Sequence, residues 1–149
     1  MKKRSALILL IISLFISLFS LFGCNKITGQ FFSLEKSYEN GLITVEQLQE
    51  IANYHNDGKE SPTPLDDKIA NAIKLTAAAD TRKYEKLVEV KASEFKILRY
   101  YGNYNNCYVV MIYNPYINYA DVIVDEWVDV GGVQFHITTH ESIQVWVQK

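Results

Sequence analysis

Three patterns of apolar residues follow one another along the chain. Residues 6–22 are apolar except for three serines. From residue 34 to about residue 92, apolar residues recur every three or four positions, which is the period of an amphipathic helix. From residue 95 onward they recur at every second position, which is the period of a strand. The pattern therefore predicts an apolar N-terminal segment, a helical half and a β half.

Two short helices are predicted at the start of the helical half. The first covers about residues 34–39 and ends before Gly41, a residue that commonly follows a helix. Thr44 and Gln47 form a capping box, in which each side chain bonds the backbone N–H of the other residue. This box opens a second helix that is expected to continue to about Tyr54.

A third helix is predicted to begin at Pro64, with Thr63 as its N-cap. Proline is favoured at the first helical position because its missing N–H would have no partner there. Leucine, isoleucine and alanine at four-residue steps continue this helix to about Ala79. Asp80 is expected to cap a further short helical segment.

The β half contains five candidate strands, separated by glycine, asparagine and proline. They cover residues 95–101, 107–113, 121–130, 133–138 and 143–148. The first break is placed at Gly102 and Asn103. Short sequential turns favour a β-meander over a crossover topology.

The register of one hairpin follows from Gly131 and Gly132, which suit a two-residue turn. This turn pairs Val130 with Val133, Val128 with Phe135, Trp127 with His136, and Asp129 with Gln134. The first two pairs face a core, and the last two lie on the opposite face. The next strand is expected to continue the meander after a loop of three or five residues. With three residues, Trp146 lies opposite Gln134 on this second face, which would be aromatic and polar.

The predicted fold class is α+β. Short N-terminal helices pack on one face of an antiparallel β-meander of four or five strands, preceded by an apolar signal helix. The expected divisions are a lipoprotein signal peptide over 1–23, a tether over 24–33 and a single domain over 34–149. The domain is expected to be helical over 34–92 and β over 95–149, and it is long enough to form a core.

The N-terminal segment has the layout of a secretory signal. A basic head at residues 2–4 precedes the apolar run. The run ends in LFGC at residues 21–24, which resembles the lipobox of bacterial prolipoproteins. In that motif a small residue precedes a cysteine that is lipidated and becomes the first residue of the mature chain. The resemblance implies cleavage between Gly23 and Cys24 and a lipid on Cys24, although Phe22 is larger than is usual there.

An uncleaved transmembrane helix is the alternative to lipidation. At about 1.5 Å per residue, residues 6–22 would span roughly 25 Å, slightly less than a hydrocarbon core of about 30 Å. The lipoprotein interpretation is therefore favoured. It implies a location at the cell membrane on its extracytoplasmic face, with the membrane contacted through a diacylglyceryl (palmitate-type) lipid on Cys24.

A second resemblance concerns residues 41–48, GLITVEQL. This stretch resembles the helix hairpin of short two-helix modules found in many bacterial proteins, and it implies a packing or interaction unit without chemistry. With a tyrosine-rich β half after it, the whole chain resembles small lipoproteins of Gram-positive bacteria. That resemblance implies a location and no catalytic residues.

Charge and cysteine content exclude several classes of function. The chain holds 15 Lys and Arg against 17 Asp and Glu. Three basic residues lie in the signal segment, so the mature chain has 12 basic against 17 acidic residues, a net charge of −5. Without a basic cluster, binding to nucleic acid is not expected. Cys107 would be left without an intramolecular partner, and it is interpreted as a small buried residue of a strand.

Few residues suggest catalysis or metal binding. His136 and His140, followed by Glu141, resemble metal ligands, but their spacing suits a helix and the segment is interpreted as strand and turn. No metal site and no cofactor are therefore predicted. A catalytic carboxylate pair could be sought among Asp121, Asp125, Glu126 and Asp129. A solvated strand edge is the preferred interpretation of these four residues.

The tyrosines offer a more specific hypothesis. Seven of them lie between residues 100 and 119, interleaved with asparagines. Rigid aromatic groups beside amides are common on sugar- and protein-binding surfaces, but tyrosine is also a good strand residue. Both interpretations remain open. The candidate binding face comprises Tyr100, Tyr101, Tyr104, Trp127, His136 and Trp146.

Two functions follow as hypotheses. The favoured one is a non-enzymatic, membrane-anchored surface lipoprotein whose domain binds or scaffolds an envelope protein or a glycan. The alternative is a hydrolase that acts on envelope material through His136, His140 and nearby carboxylates.

Overall fold

A computed structural model describes residues 26–85, 89–117, 125–138 and 141–149. The helices are α1 (Leu34–Glu39), α2 (Val45–Asn56), α3 (Asp67–Glu85) and a short 3-10 helix (Ala92–Glu94). The strands are β1 (Gly29–Ser33), β2 (Lys96–Tyr104), β3 (Cys107–Tyr113), β4 (Glu126–Val130), β5 (Val133–Ile137) and β6 (Ser142–Gln148). The predicted α+β class is confirmed. The predicted signal segment and Cys24 lie outside the described residues.

The strands form two antiparallel sheets rather than one meander. The larger sheet has the order β1-β6-β3-β2, and among the described residues β4 and β5 form a second sheet of two strands. The prediction that β6 continues from β5 is therefore wrong, and Trp146 lies opposite Phe31 and Tyr108 instead of Gln134. Strand β6 is hydrogen-bonded on both edges, by β1 and β3, and it places Val145 in the core on one face of the sheet and Trp146 in the core on the other.

Helices cover both faces of the larger sheet, whereas the sequence predicted helices on one face only. On one face, the α1–α2 pair and the β4–β5 hairpin enclose a core that includes Leu48, Ile51, Val109, Phe135 and Val145. On the other face, α3 encloses a core that includes Ile69, Ile73, Val110, Ile112 and Trp146. The face that was expected to meet solvent is therefore covered by α3.

Strand β1 lies within the stretch that was predicted to be a tether, residues 24–33. It pairs with β6 from Gly29 opposite Gln148 to Ser33 opposite Gln144. Gly29 is required by the side chain of the neighbouring strand β6, because a Cβ added there would lie 2.2 Å from a ring carbon of Trp146. The domain therefore begins earlier than the helical pattern indicates.

Helices α1 and α2 form as predicted. The first ends at Glu39, and the capping box of α2 makes both of its hydrogen bonds. The Thr44 N–H donates to Gln47 Oε1 at 2.9 Å, and the Gln47 N–H donates to Thr44 Oγ1 at 3.3 Å. Helix α2 continues two residues beyond Tyr54, to Asn56.

Helix α3 begins and ends later than predicted. Its first residue is Asp67 rather than Pro64, because Asp66 Oδ1 accepts hydrogen bonds from the N–H groups of Lys68 and Ile69. A carboxylate that accepts two N–H groups at a helix N-terminus is a strong cap. Asp80 does not start a new segment, since α3 continues through it to Glu85.

The turns of the β half are predicted in part. The register set by Gly131 and Gly132 is confirmed, including Trp127 opposite His136 and Val128 opposite Phe135. Strand β2 does not end at Gly102 but continues to Tyr104, with shifts of register along its pairing with β3. Its turn lies at Asn105 and Asn106, which have φ values of 51° and 65°. Residues 121–124 of the predicted third strand lie outside the described residues.

Candidate binding site

The outer face of the β4–β5 hairpin presents an exposed tryptophan stacked on a histidine. Trp127 is 58% exposed, and its ring centroid lies 4.7 Å from that of His136 with an interplanar angle of 21°. His136 Nε2 lies 2.6 Å from Oδ1 of Asp125. We refer to Trp127, His136 and Asp125 as the hairpin platform.

The alternation of β4 and β5 produces the platform. Val130 and Val133 are buried and Val128 packs against the same core, so Trp127 must point to the opposite face of β4. Asp125 has a φ of 70°, in the left-handed region that aspartate enters more readily than most residues. The sequence thus places Trp127 and His136 correctly, and the backbone conformation of Asp125 accompanies the contact with His136.

The backbone beneath the platform is fixed to the end of α2. Asn56 Nδ2 donates to the Gln134 carbonyl at 3.0 Å, and the His136 N–H donates to Asn56 Oδ1 at 2.8 Å. His55 Nε2 donates to the His136 carbonyl at 2.7 Å. These three hydrogen bonds join β5 to α2, so the Trp127–His136 stack rests on an ordered backbone.

His55 supports the platform from below, a role that the sequence interpretation missed. It is 7% exposed, and its Nδ1 accepts a hydrogen bond from the Tyr101 hydroxyl at 2.8 Å. Because the His136 carbonyl can only accept, Nε2 carries the hydrogen of the neutral imidazole, and Nδ1 is then free to accept from the Tyr101 hydroxyl. Burial lowers the pKa of His55 and raises the pKa of Tyr101 to about 12. The signal was available, since His55 follows Leu48 and Ile51 on the buried face of α2.

Acidification is expected to destabilise the domain through His55. Its pKa in the folded state lies below the ordinary value of 6.5, so the unfolded chain binds more protons between those two values. The stabilising contribution is complete above about pH 6.5 and is lost as the pH falls towards the folded-state pKa. Urea unfolding between pH 7.5 and pH 5 should therefore show a fall in stability that His55→Gln reduces. Parallel curves for the wild type and His55→Gln would contradict this assignment.

Most of the candidate binding face predicted from the sequence is buried. Trp146 and Tyr101 are 0% exposed, and Tyr100 and Tyr104 are also buried. The Tyr104 hydroxyl donates to the Tyr101 carbonyl at 3.0 Å, inside the core. The six residues do not form one surface, because helices cover both faces of the larger sheet. The candidate face is therefore corrected to Trp127 and His136, with Asp125 added.

The other candidate groups are placed as follows. His140 and Asp121 lie outside the described residues, while Glu126 and Asp129 are exposed. Within the described ranges, no group of three or more His, Cys, Asp or Glu side chains could hold a metal ion. Cys107 is buried as predicted, and burial raises the pKa of its thiol.

A cleft of about 630 Å³ lies between α3 and the larger sheet, away from the platform. Its lining includes Asn114, Thr81 and Gln144. Asn114 Nδ2 donates to Thr81 Oγ1 at 2.9 Å, and Gln144 Nε2 donates to the Ser142 hydroxyl at 2.8 Å. Because these polar groups already bond one another, the cleft is the weaker candidate for a ligand site despite its volume.

Comparison of the chain with protein-family models, with curated proteins and with solved structures finds no match. In the part of the chain that the structure describes, no helix is long and apolar enough to cross a membrane. The hairpin platform and the N-terminal sequence are therefore the two features that bear on function.

Proposed function

We propose that the chain is a surface lipoprotein, anchored by a lipid on Cys24 at the extracytoplasmic face of the cell membrane. Its folded domain is a non-enzymatic module that binds or scaffolds an envelope component. The basic, apolar and LFGC segments of the N-terminus support the anchor. The hairpin platform supports the binding role.

The observation that carries the binding role is the exposure of an ordered Trp127. A tryptophan buries a large area when a partner covers it, and it is enriched among the residues that dominate binding energies. Stacking on His136 restricts the ring, so little conformational freedom remains to be lost on binding. Trp146, the other tryptophan of the chain, is fully buried and is needed by the core.

A hydrolase is the second candidate, because the Asp125 carboxylate orients an imidazole as a catalytic dyad would. However, the face of that imidazole is covered by the Trp127 ring. Among the described residues, the hydrogen-bond partner of the His136 side chain is Asp125 and not a nucleophile. Binding is therefore the better supported role. The hydrolase would be favoured instead if the purified protein released soluble fragments from isolated cell wall. The double variant His136→Ala, His140→Ala should then release none.

Site-specific photo-crosslinking on intact cells tests the binding role. A benzophenone amino acid at Gln134, which is exposed and pairs with Asp129 on the face of Trp127, should give a discrete adduct. Trp127→Ala should reduce its yield several-fold without changing the amount of lipoprotein. The matched control places the benzophenone at Tyr84 on α3, which is 71% exposed. The same adduct at Tyr84, or one that is unaffected by Trp127→Ala, would refute the role.

A further inference from the structure

The hairpin that carries the platform is acidic. Residues 125–138 include Asp125, Glu126 and Asp129 and contain no Lys or Arg. The salt bridges among the described residues involve neither Glu126 nor Asp129. The charge of these carboxylates is therefore not neutralised by a Lys or Arg within the described part of the chain.

Two of these carboxylates flank the exposed indole. Asp129 lies two positions after Trp127 on the same face of β4, at a spacing of roughly 7 Å along a strand. On the other side, the Asp125 side chain is 74% exposed and uses Oδ1 for His136. Its second carboxylate oxygen remains available to another donor. The exposed aromatic ring thus lies between two negative groups.

This arrangement is complementary to an organic cation. The face of an indole attracts a cation more strongly than other aromatic rings do, and nearby carboxylates add to that attraction. A guanidinium group is planar, stacks on aromatic rings and presents a fork of N–H donors to carboxylates, which a lysine ammonium cannot do. Resting on the proposed binding function, we infer that the hairpin platform binds an arginine side chain in a basic segment of a partner protein.

The same charges disfavour other occupants. Anionic lipid head groups and polyanions are repelled by Asp125 and Asp129, and the mature chain has more acidic than basic residues. A neutral saccharide could stack on Trp127 but would leave Asp125 and Asp129 without a countercharge. A basic peptide uses both the ring and the carboxylates.

The test uses the ¹⁵N-labelled full-length chain in neutral detergent micelles, with acetyl-tetra-arginine amide as the probe. The probe should shift the Trp127 indole N–H resonance and leave that of the buried Trp146 unchanged. Acetyl-tetra-citrulline amide has nearly the same shape without the charge, and it should require at least about tenfold higher concentration. Because the carboxylates of the platform and the arginine side chains are both exposed to solvent, added salt should weaken the binding of tetra-arginine.

Two charge-neutralising variants make the test specific. Asp125→Asn keeps an oxygen that can accept from His136 but removes the charge, and it should weaken arginine binding roughly fivefold. Glu35→Gln makes the same change in charge on α1, where residue 35 is exposed, and it should alter binding less than about twofold. Trp127→Ala should abolish the part of the tetra-arginine binding that tetra-citrulline does not reproduce.

Several outcomes would overturn the inference. Equal binding of tetra-citrulline, or equal weakening by Asp125→Asn and Glu35→Gln, would show that the platform does not recognise the cation. A stronger response to chitotetraose or to phosphocholine would assign the surface to a glycan or a lipid head group, and the proposed binding function would stand. If none of these probes shifts Trp127, the arginine inference fails, and the crosslinking at Gln134 decides the binding function separately.

Discussion

Trp146→Ala is expected to lower the free energy of unfolding by about 3–5 kcal/mol. The indole is fully buried between the larger sheet and α3, and it packs against Tyr108 with ring centroids 5.8 Å apart. Its Nε1 also donates to the Thr76 hydroxyl at 3.2 Å. The substitution removes these contacts and leaves a cavity. Because a domain of this size has a total stability of about 5–15 kcal/mol, the variant should be close to unfolding.

The chain provides a matched control in its second tryptophan. Trp127→Ala removes the same side chain from a site that is 58% exposed, so its cost should stay below about 1 kcal/mol, mainly from the stack on His136. Urea unfolding followed by circular dichroism measures both variants. Similar losses for the two would contradict the assignment of Trp146 to the core and of Trp127 to the surface.

Cys24→Ala is expected to abolish lipid attachment completely. Wild-type cells fed a palmitate analogue should label the protein, and the variant should carry no label. Cys107 should stay unlabelled in both, because it is 1% exposed within β3. The unlipidated chain should either remain a precursor held by residues 6–22 or be cleaved elsewhere and released. At about 0.8 kcal/mol per buried methylene, the loss of two acyl chains removes the proposed anchor.

A wild-type protein that stays unlabelled and retains Met1 at its N-terminus would contradict the proposed lipid anchor. It would favour the uncleaved apolar segment over residues 6–22 as the means of attachment.

Local sequence signals predicted the local structure well. The capping box at Thr44 and the two-residue turn at Gly131 depend on contacts between near neighbours, and both are found as predicted. The start of α3 was missed because two capping sites compete there. The Asp66 carboxylate accepts two backbone N–H groups and defines the start, whereas Thr63 does not.

Long-range pairing was not available from the same signals. The alternation along β6 correctly separates Val145 from Trp146, since they belong to different cores. It does not indicate what covers each face, and the pairing of β6 with β1 and β3 is decided by contacts thirty or more residues apart. The short segment Gly29–Ser33 shows little alternation, so its role as a strand depends on β6.

The difference between local and long-range signals explains which residues of the candidate binding face stay together at the surface. Trp127 and His136 were placed on one face by a turn of two residues, and they remain together. Tyr100 and Trp146 were assigned to an open face because the position of α3, which covers them, could not be derived from local patterns. The contact between Asp125 and His136 is accompanied by a left-handed backbone conformation at Asp125, which the sequence of the strand did not indicate.

Hydroxyl-radical footprinting tests most directly whether the hairpin platform is a contact surface in the envelope. The oxidation rates of Trp127 and Tyr84 are measured by mass spectrometry on intact cells and on the purified protein. Both residues are well exposed in the structure, at 58% and 71%, so both should be oxidised in the purified protein. On cells, the proposed function predicts several-fold slower oxidation of Trp127 and an unchanged rate at Tyr84. Oxidation of Trp127 at the same rate on cells as in the purified protein would contradict it.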